Sequence, residues 1–223
     1  ADLFQKAGAR FAGPVAEHHD GFAMWDSTAT PWNVVEMGPK KDITGLLAEE
    51  LKKRDIRLIT TFHHAKQLQR HDSIVNETTN EPYQHSHYPW NRDMPTSSDD
   101  PKLQKLYGSM PADIWYEEIW YAKLKEVIDQ YQPDIIWFDG WLDRIPESYR
   151  QAFAAYYLNE AATWGREVVI VRKQNDLPIE FSVLDHEKSR ESKASPRVWM
   201  TDDTISTGSW CYTRNLRIKP TAK

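Results

Sequence analysis

The chain has 223 residues, 40% apolar and 27% charged, with 28 basic against 33 acidic side chains and a formal net charge of −5. That suffices for one large domain with a sizeable core and is too little for two comfortable ones. It excludes a basic stripe for nucleic acid, a basic amphipathic helix for a membrane surface and an apolar run of spanning length; a single cysteine, Cys211, excludes a disulfide framework.

In chain order, residues 2–8 read as the end of a helix. Phe11 to Ala16 is a short apolar run leading into Glu17-His18-His19-Asp20-Gly21-Phe22. Asp42 is suited to cap a helix through about Arg54, with Leu46, Leu47 and Leu51 on one face. Arg57 to Phe62 is β-rich and ends at His63-His64. Residues 65–110, polar and proline-containing, read as a long insertion with short helical pieces. A strong helix starts near Pro111 and runs to Tyr131, its apolar positions Ile114, Trp120, Leu124, Val127, Ile128 and Tyr131 at helical spacing. Asp134 to Phe138 is a buried-type strand ending at Asp139-Gly140. Pro146 opens a helix to Trp164, stopped by Gly165. Three further strands are expected: Glu167 to Val171 before Arg172, Phe181 to Leu184 before Asp185-His186-Glu187, and Val198 to Thr201.

Strands alternating with helices predict an α/β fold with a parallel sheet. Groups that can do chemistry fall just after strands: His18 and His19, His63 and His64, Asp139, Arg172 and Glu187. In a (β/α)8 TIM-type barrel all strand C-termini meet on one face, so these scattered residues converge there. An open doubly wound sheet gathers ligands at a switch point instead, and no glycine-rich phosphate loop follows any strand.

Two readings of Asp139 stand. It caps the next turn, or it is a carboxylate nucleophile flanked by Trp137 and Trp141. Glycoside cleavage needs two carboxyl groups, roughly 5–5.5 Å apart in retaining enzymes. The ten tryptophans suit either core packing or platforms for sugar rings. The histidine pairs admit a metal, but neighbours in extended chain point to opposite sides, and no His-Glu-x-x-His is present. Neutral imidazoles also suit sugar hydroxyls, since they both donate and accept.

Three stretches carry a family resemblance: Glu17-His18-His19-Asp20-Gly21-Phe22-Ala23-Met24-Trp25, Pro133-Asp134-Ile135-Ile136-Trp137-Phe138-Asp139-Gly140-Trp141, and Trp199 to Tyr212 with Ser209-Trp210-Cys211-Tyr212. They resemble the signatures of the family 29 α-L-fucosidases, in the family's order. The resemblance implies a retaining exo-hydrolase that removes terminal α-L-fucose from a fucosylated oligosaccharide or glycoconjugate, without metal or cofactor. Asp139 matches the nucleophile. His18 and His19 match fucose-binding histidines, and His63, Trp137 and Arg172 fall where the family places further pocket residues. Many members carry a glutamate where this chain has Met200. Glu187 is then the first candidate acid/base, against a surface pair with Lys188 or Arg190, and Asp202 and Asp203 come next. The resemblance makes residues 1–223 a partial catalytic barrel, with a strand expected before residue 1, another after Lys223, and then a β-sandwich. It implies a periplasmic or extracellular full-length protein. Two alternatives remain: a non-catalytic fucose-binding relative, favoured by Met200, and a metal-dependent hydrolase using the histidines and Asp139. The insertion, with His71, His85, His87 and Trp90, is expected to shape specificity, because loops after strands build the mouth of such barrels.

Overall fold

The computed structural model describes residues 1–70, 100–107 and 110–220. Much of the expected insertion, with His71, His85, His87 and Trp90, lies outside the described residues.

Helix α1 (Asp2–Lys6) precedes two short strands, β1 (Phe11–Ala12) and β2 (Val15–Glu17). Helix α2 (Ile43–Lys52) follows a long loop and leads into β3 (Arg57–Phe62) and a 3-10 helix (His64–Arg70). Next come α3 (Pro101–Tyr107), α4 (Ala112–Trp115), a π-helical segment (Tyr116–Tyr121), α5 (Ala122–Tyr131) and β4 (Ile135–Phe138). A 3-10 turn (Leu142–Arg144), α6 (Glu147–Thr163), β5 (Val169–Arg172), β6 (Ser182–Asp185) and β7 (Trp199–Met200) complete the order.

Among the described residues these strands pair in parallel, in the order β1-β3-β4-β5-β6-β7, with β2 also on β3. The sheet curls into part of a barrel. β1 and β2 are two pieces of one passage along β3, broken at Gly13-Pro14. A side chain at Gly13 would have its Cβ 1.6 Å from the Ile59 carbonyl oxygen, so only glycine permits this close approach.

The caps follow the sequence. Asp42 accepts a hydrogen bond from Gly45 N at 2.8 Å and starts α2. Gly165, with φ +66, follows α6. The helix through 112–131 departs from simple periodicity. Ile114 is exposed, whereas Trp115 and Ile119 are fully buried. The wide turn at Tyr116–Tyr121 slips the register, which brings Trp115 rather than Ile114 onto the core-facing side.

Two clusters lie on opposite faces of the sheet. Against the helices, Phe62, Ile136, Phe138 and Ile170 pack on Trp115, Trp120, Leu124, Phe153 and Tyr157. On the other face Ile59, Trp137 and Val171 meet Ile135, Val183 and Met200, with no helix contributing among the described residues. The connections 173–181 and 186–198 contain no helix. Val169, Phe181, Val198 and Trp199 are consequently left exposed beside β5–β7.

Candidate active site

Side chains alternate across a strand, so the residue two places beyond the last one facing the helix-free side faces that side again. Applied to each strand end, this parity predicts the site. Trp137 leads to Asp139, Val171 to Lys173, Val183 to Asp185 and Glu187, and Met200 to Asp202. The same parity separates the second histidine pair. His63 meets Asp139, while His64 turns to the helix side, fully buried, with Nε2 3.2 Å from the Trp120 carbonyl oxygen.

Asp139 is the centre. Its Oδ2 lies 3.4 Å from His19 Nε2, 3.3 Å from His63 Nδ1 and 2.5 Å from Lys66 Nζ. Burial by itself raises the pKa of this carboxyl. The hydrogen bonds with His19 and His63 and the Lys66 charge outweigh burial and hold it well below the usual carboxylate range. Burial also pulls His19 down to about 4, against the Asp139 bond, so the imidazole is neutral at ordinary pH. An ionised carboxylate therefore sits between the neutral His19 imidazole, the His63 ring and the Lys66 ammonium. Two residues on, Trp141 adopts φ +78, a conformation rare for a bulky residue, at the start of the turn after β4.

His18 is exposed, and its ring lies 4.2 Å from that of His19 and 4.4 Å from that of His63. Donor atoms of these three residues come within 4.8 Å of one another, as a metal site requires. The His18 ring is tilted by 36° to that of His19 and by 31° to that of His63, whereas His19 and His63 stand nearly edge to face at 63°.

Trp137 joins this group to a second one. Its ring is 5.3 Å from that of His63, and Lys173 Nζ lies 5.1 Å from its centroid. Its Nε1 donates to Asp185 Oδ2 at 3.0 Å. Lys173 Nζ is 3.3 Å from Asp185, 3.3 Å from Glu187 and 2.5 Å from Asp202. Glu187 is thus half exposed and held by Lys173 rather than by Lys188 or Arg190. Burial and the neighbouring Asp185 push the Asp202 carboxyl up against the pull of Lys173. Asp203 pairs elsewhere, with Lys219. Met200, the residue that follows Trp199, packs beside Trp137 in the apolar cluster.

Arg172 is not brought to Asp139. Its parity is opposite, and its guanidinium bonds Ser182 Oγ at 2.9 Å, the Gln174 carbonyl and Asn175 Oδ1. Lys66 and Lys173 enter the site unforeseen. The parity of β5 points to Lys173, but no local signal identifies Lys66, which reaches Asp139 only through the 3-10 turn after β3.

A carboxylate held ionised among imidazoles at the C-terminal rim of a parallel, barrel-type sheet defines the class: (β/α)-barrel proteins with their site on that rim. A sequence model described as α-L-fucosidase matches residues 1–223. The chain belongs to the α-L-fucosidase family. The tissue α-L-fucosidase of Rattus norvegicus is 26% identical over 228 residues, covering 97% of this chain and 41% of that protein. The human tissue enzyme is 24% identical, covering 98% and 41%. The chain therefore spans about two-fifths of the length of these curated relatives. The Thermotoga maritima α-fucosidase, solved with a mechanism-based inhibitor, superposes with a TM-score of 0.66 at 23% identity, covering 96% of this chain and 42% of that one. The Lactobacillus casei α-L-fucosidase, solved with its fucose product, gives 0.68 at 19%, covering 97% and 62%. These two likenesses support the barrel fold.

Proposed function

We infer that residues 1–223 form part of one catalytic barrel domain of a retaining exo-α-L-fucosidase acting on fucosylated oligosaccharides or glycoconjugates. The observation that carries this reading is the Asp139 carboxylate, kept ionised by contacts from His19, His63 and Lys66 to a single oxygen. These contacts fall on Oδ2, and Oδ1 is the oxygen assigned to the attack.

In this mechanism Asp139 Oδ1 attacks the anomeric carbon of the fucosyl group. The glycosidic bond breaks, and its electron pair stays on the leaving oxygen, which takes a proton from the acid. A covalent fucosyl-aspartate results. The acid, now a base, takes a proton from water, which displaces Asp139 and returns fucose. The ammonium of Lys66 favours Asp139 as a leaving group in that second step. Glu187 is proposed as the acid/base, since its carboxyl stands on the rim beside Lys173 and is open to solvent. His18, His19, His63 and Trp137 are proposed to hold the sugar, imidazoles on its hydroxyls and the indole against its apolar face. Arg172 acts on this pocket only indirectly, through the loop it braces.

The test uses the full-length protein. Asp139→Gly should lower hydrolysis of an aryl α-L-fucoside by roughly a thousandfold or more, with partial recovery in azide, because a small anion fits the vacated space. An unaffected variant overturns the reading. Stoichiometric zinc with activity lost to a chelator would favour the metal-dependent alternative, for which the spacing of the three histidine donors speaks. Fucose binding without turnover would favour a non-catalytic relative, for which Met200 speaks.

A further inference from the structure

Behind the histidine turn lies an ion pair with no solvent access. Glu17, the last residue of β2, and Lys123, on α5, are 1% and 0% exposed. Lys123 Nζ stands 2.8 Å from Glu17 Oε2 and donates to the Gly21 carbonyl oxygen at 3.2 Å. The pair is held by charge more than by alignment, since no well-aligned donor meets Oε2. One ammonium therefore grips both ends of the five-residue turn Glu17-His18-His19-Asp20-Gly21.

The grip has two supports. Gln67 Nε2 reaches Glu17 Oε1 at 3.5 Å and the Leu106 carbonyl at 3.1 Å, and Gln67 Oε1 accepts from Trp115 Nε1 at 3.2 Å. Gly21 has φ +84, and a Cβ there would lie 2.1 Å from Leu106 O and 2.3 Å from Gln67 Nε2. The turn is pressed onto this network with no room for a side chain. The backbone carbonyl of Glu17 also accepts from His63 N at 3.0 Å, so the same residue fixes the start of the second histidine segment.

Buried ion pairs are weak sources of stability, because desolvation offsets most of the attraction, and apolar replacements of similar volume are often neutral. What this pair supplies is direction. Apolar side chains would fill the space but leave Gly21 O without its donor and the two ends of the turn untied. Resting on the fucosidase reading of the rim site, we propose that Lys123 is a positioning residue: its buried ammonium clamps the turn Glu17–Gly21 and so sets where His18 and His19 stand relative to Asp139.

The test uses the full-length protein with three readouts: thermal midpoint, kcat/KM on an aryl α-L-fucoside, and the Kd of a fucose-configured iminosugar by calorimetry. The double variant Glu17→Met/Lys123→Met removes both charges together, so neither is stranded. Its midpoint should stay within a few degrees of the parent, while Kd weakens and kcat/KM falls by about tenfold or more. Lys123→Arg keeps the charge but displaces the donor, and should weaken Kd by about fivefold with the midpoint retained. Unchanged Kd and kcat/KM in a folded double variant overturn the proposal. If the double variant does not fold, unchanged Kd in Lys123→Arg overturns it. A parent protein that neither binds the iminosugar nor turns over refutes the fucosidase reading instead. In that case the His19 imidazole resonances decide the clamp: they must move in Lys123→Arg, and unmoved resonances refute it.

Discussion

Glu126 is the sharpest place to test how the loop after β2 is held. Its Oε2 accepts from Trp25 Nε1 at 3.0 Å and Ser27 Oγ at 2.6 Å. Its Oε1 accepts from Thr28 N at 2.7 Å, Thr28 Oγ1 at 2.6 Å and Ala29 N at 2.9 Å. Glu126→Ala strips five donors of their acceptor at once. Trp25 and Ser27 are buried, and a buried group left unpaired costs about 1–3 kcal/mol, whereas the three remaining donors turn to water at roughly 0.5 kcal/mol each. The expected loss is therefore about 4–7 kcal/mol, at or beyond the upper end for a single substitution. Glu126→Gln keeps one acceptor oxygen and should lose about half of that. Denaturant unfolding at fixed pH measures both. A loss under about 1 kcal/mol for Glu126→Ala would mean that the loop is held by packing of Trp25 on Phe62, not by the carboxylate.

Lys66→Met should raise the pKa of Asp139, which stays depressed by His19 and His63, and so move the acid limb of kcat/KM to higher pH; an unmoved limb removes Lys66 from the site. Asp176 is buried with neither carboxyl oxygen partnered, and burial pushes its pKa from 3.8 to about 6. The folded state thus binds this proton more tightly than the unfolded one, and stability falls as pH rises from about 4 to about 6, by roughly 3 kcal/mol at most. Asp176→Asn should abolish that fall, whereas an identical pH–stability curve refutes the assignment. His19 and His64, pulled by burial to about 4 and about 3, act with the opposite sign: both are buried neutral, so their contribution is lost as pH drops below 6.5. The Asp176→Asn difference curve isolates one effect from the other. Tyr157 donates from its hydroxyl to the Pro133 carbonyl at 2.7 Å, just before β4, so Tyr157→Phe should cost about 1–2 kcal/mol in denaturant unfolding.

Much of the architecture was legible because local patterns carried it. Asp42 capped where a cap was expected, β3 ran over Arg57–Phe62 as read, and Gly165 followed α6. The slip at residues 116–121 was not legible, because a wide turn shifts a helical face without changing its composition. His63 and His64 are equivalent as letters, and only the parity of β3 against its neighbours assigns one to Asp139 and the other to the Trp120 carbonyl. Arg172 looked like a rim residue because it ends a strand, yet that same parity turns it away.

By itself the sequence determined the parallel strands, the carboxylate at the end of β4 and the histidines at the ends of β2 and β3, because strand period and end position are local properties of the chain. The tertiary structure alone decided which groups touch. Lys66 meets Asp139, Lys173 gathers Asp185, Glu187 and Asp202, and Lys123 grips the histidine turn. These are contacts of long, flexible cations whose partners are chosen by burial and charge, and neither exists until the sheet has curled and the helices have packed behind it.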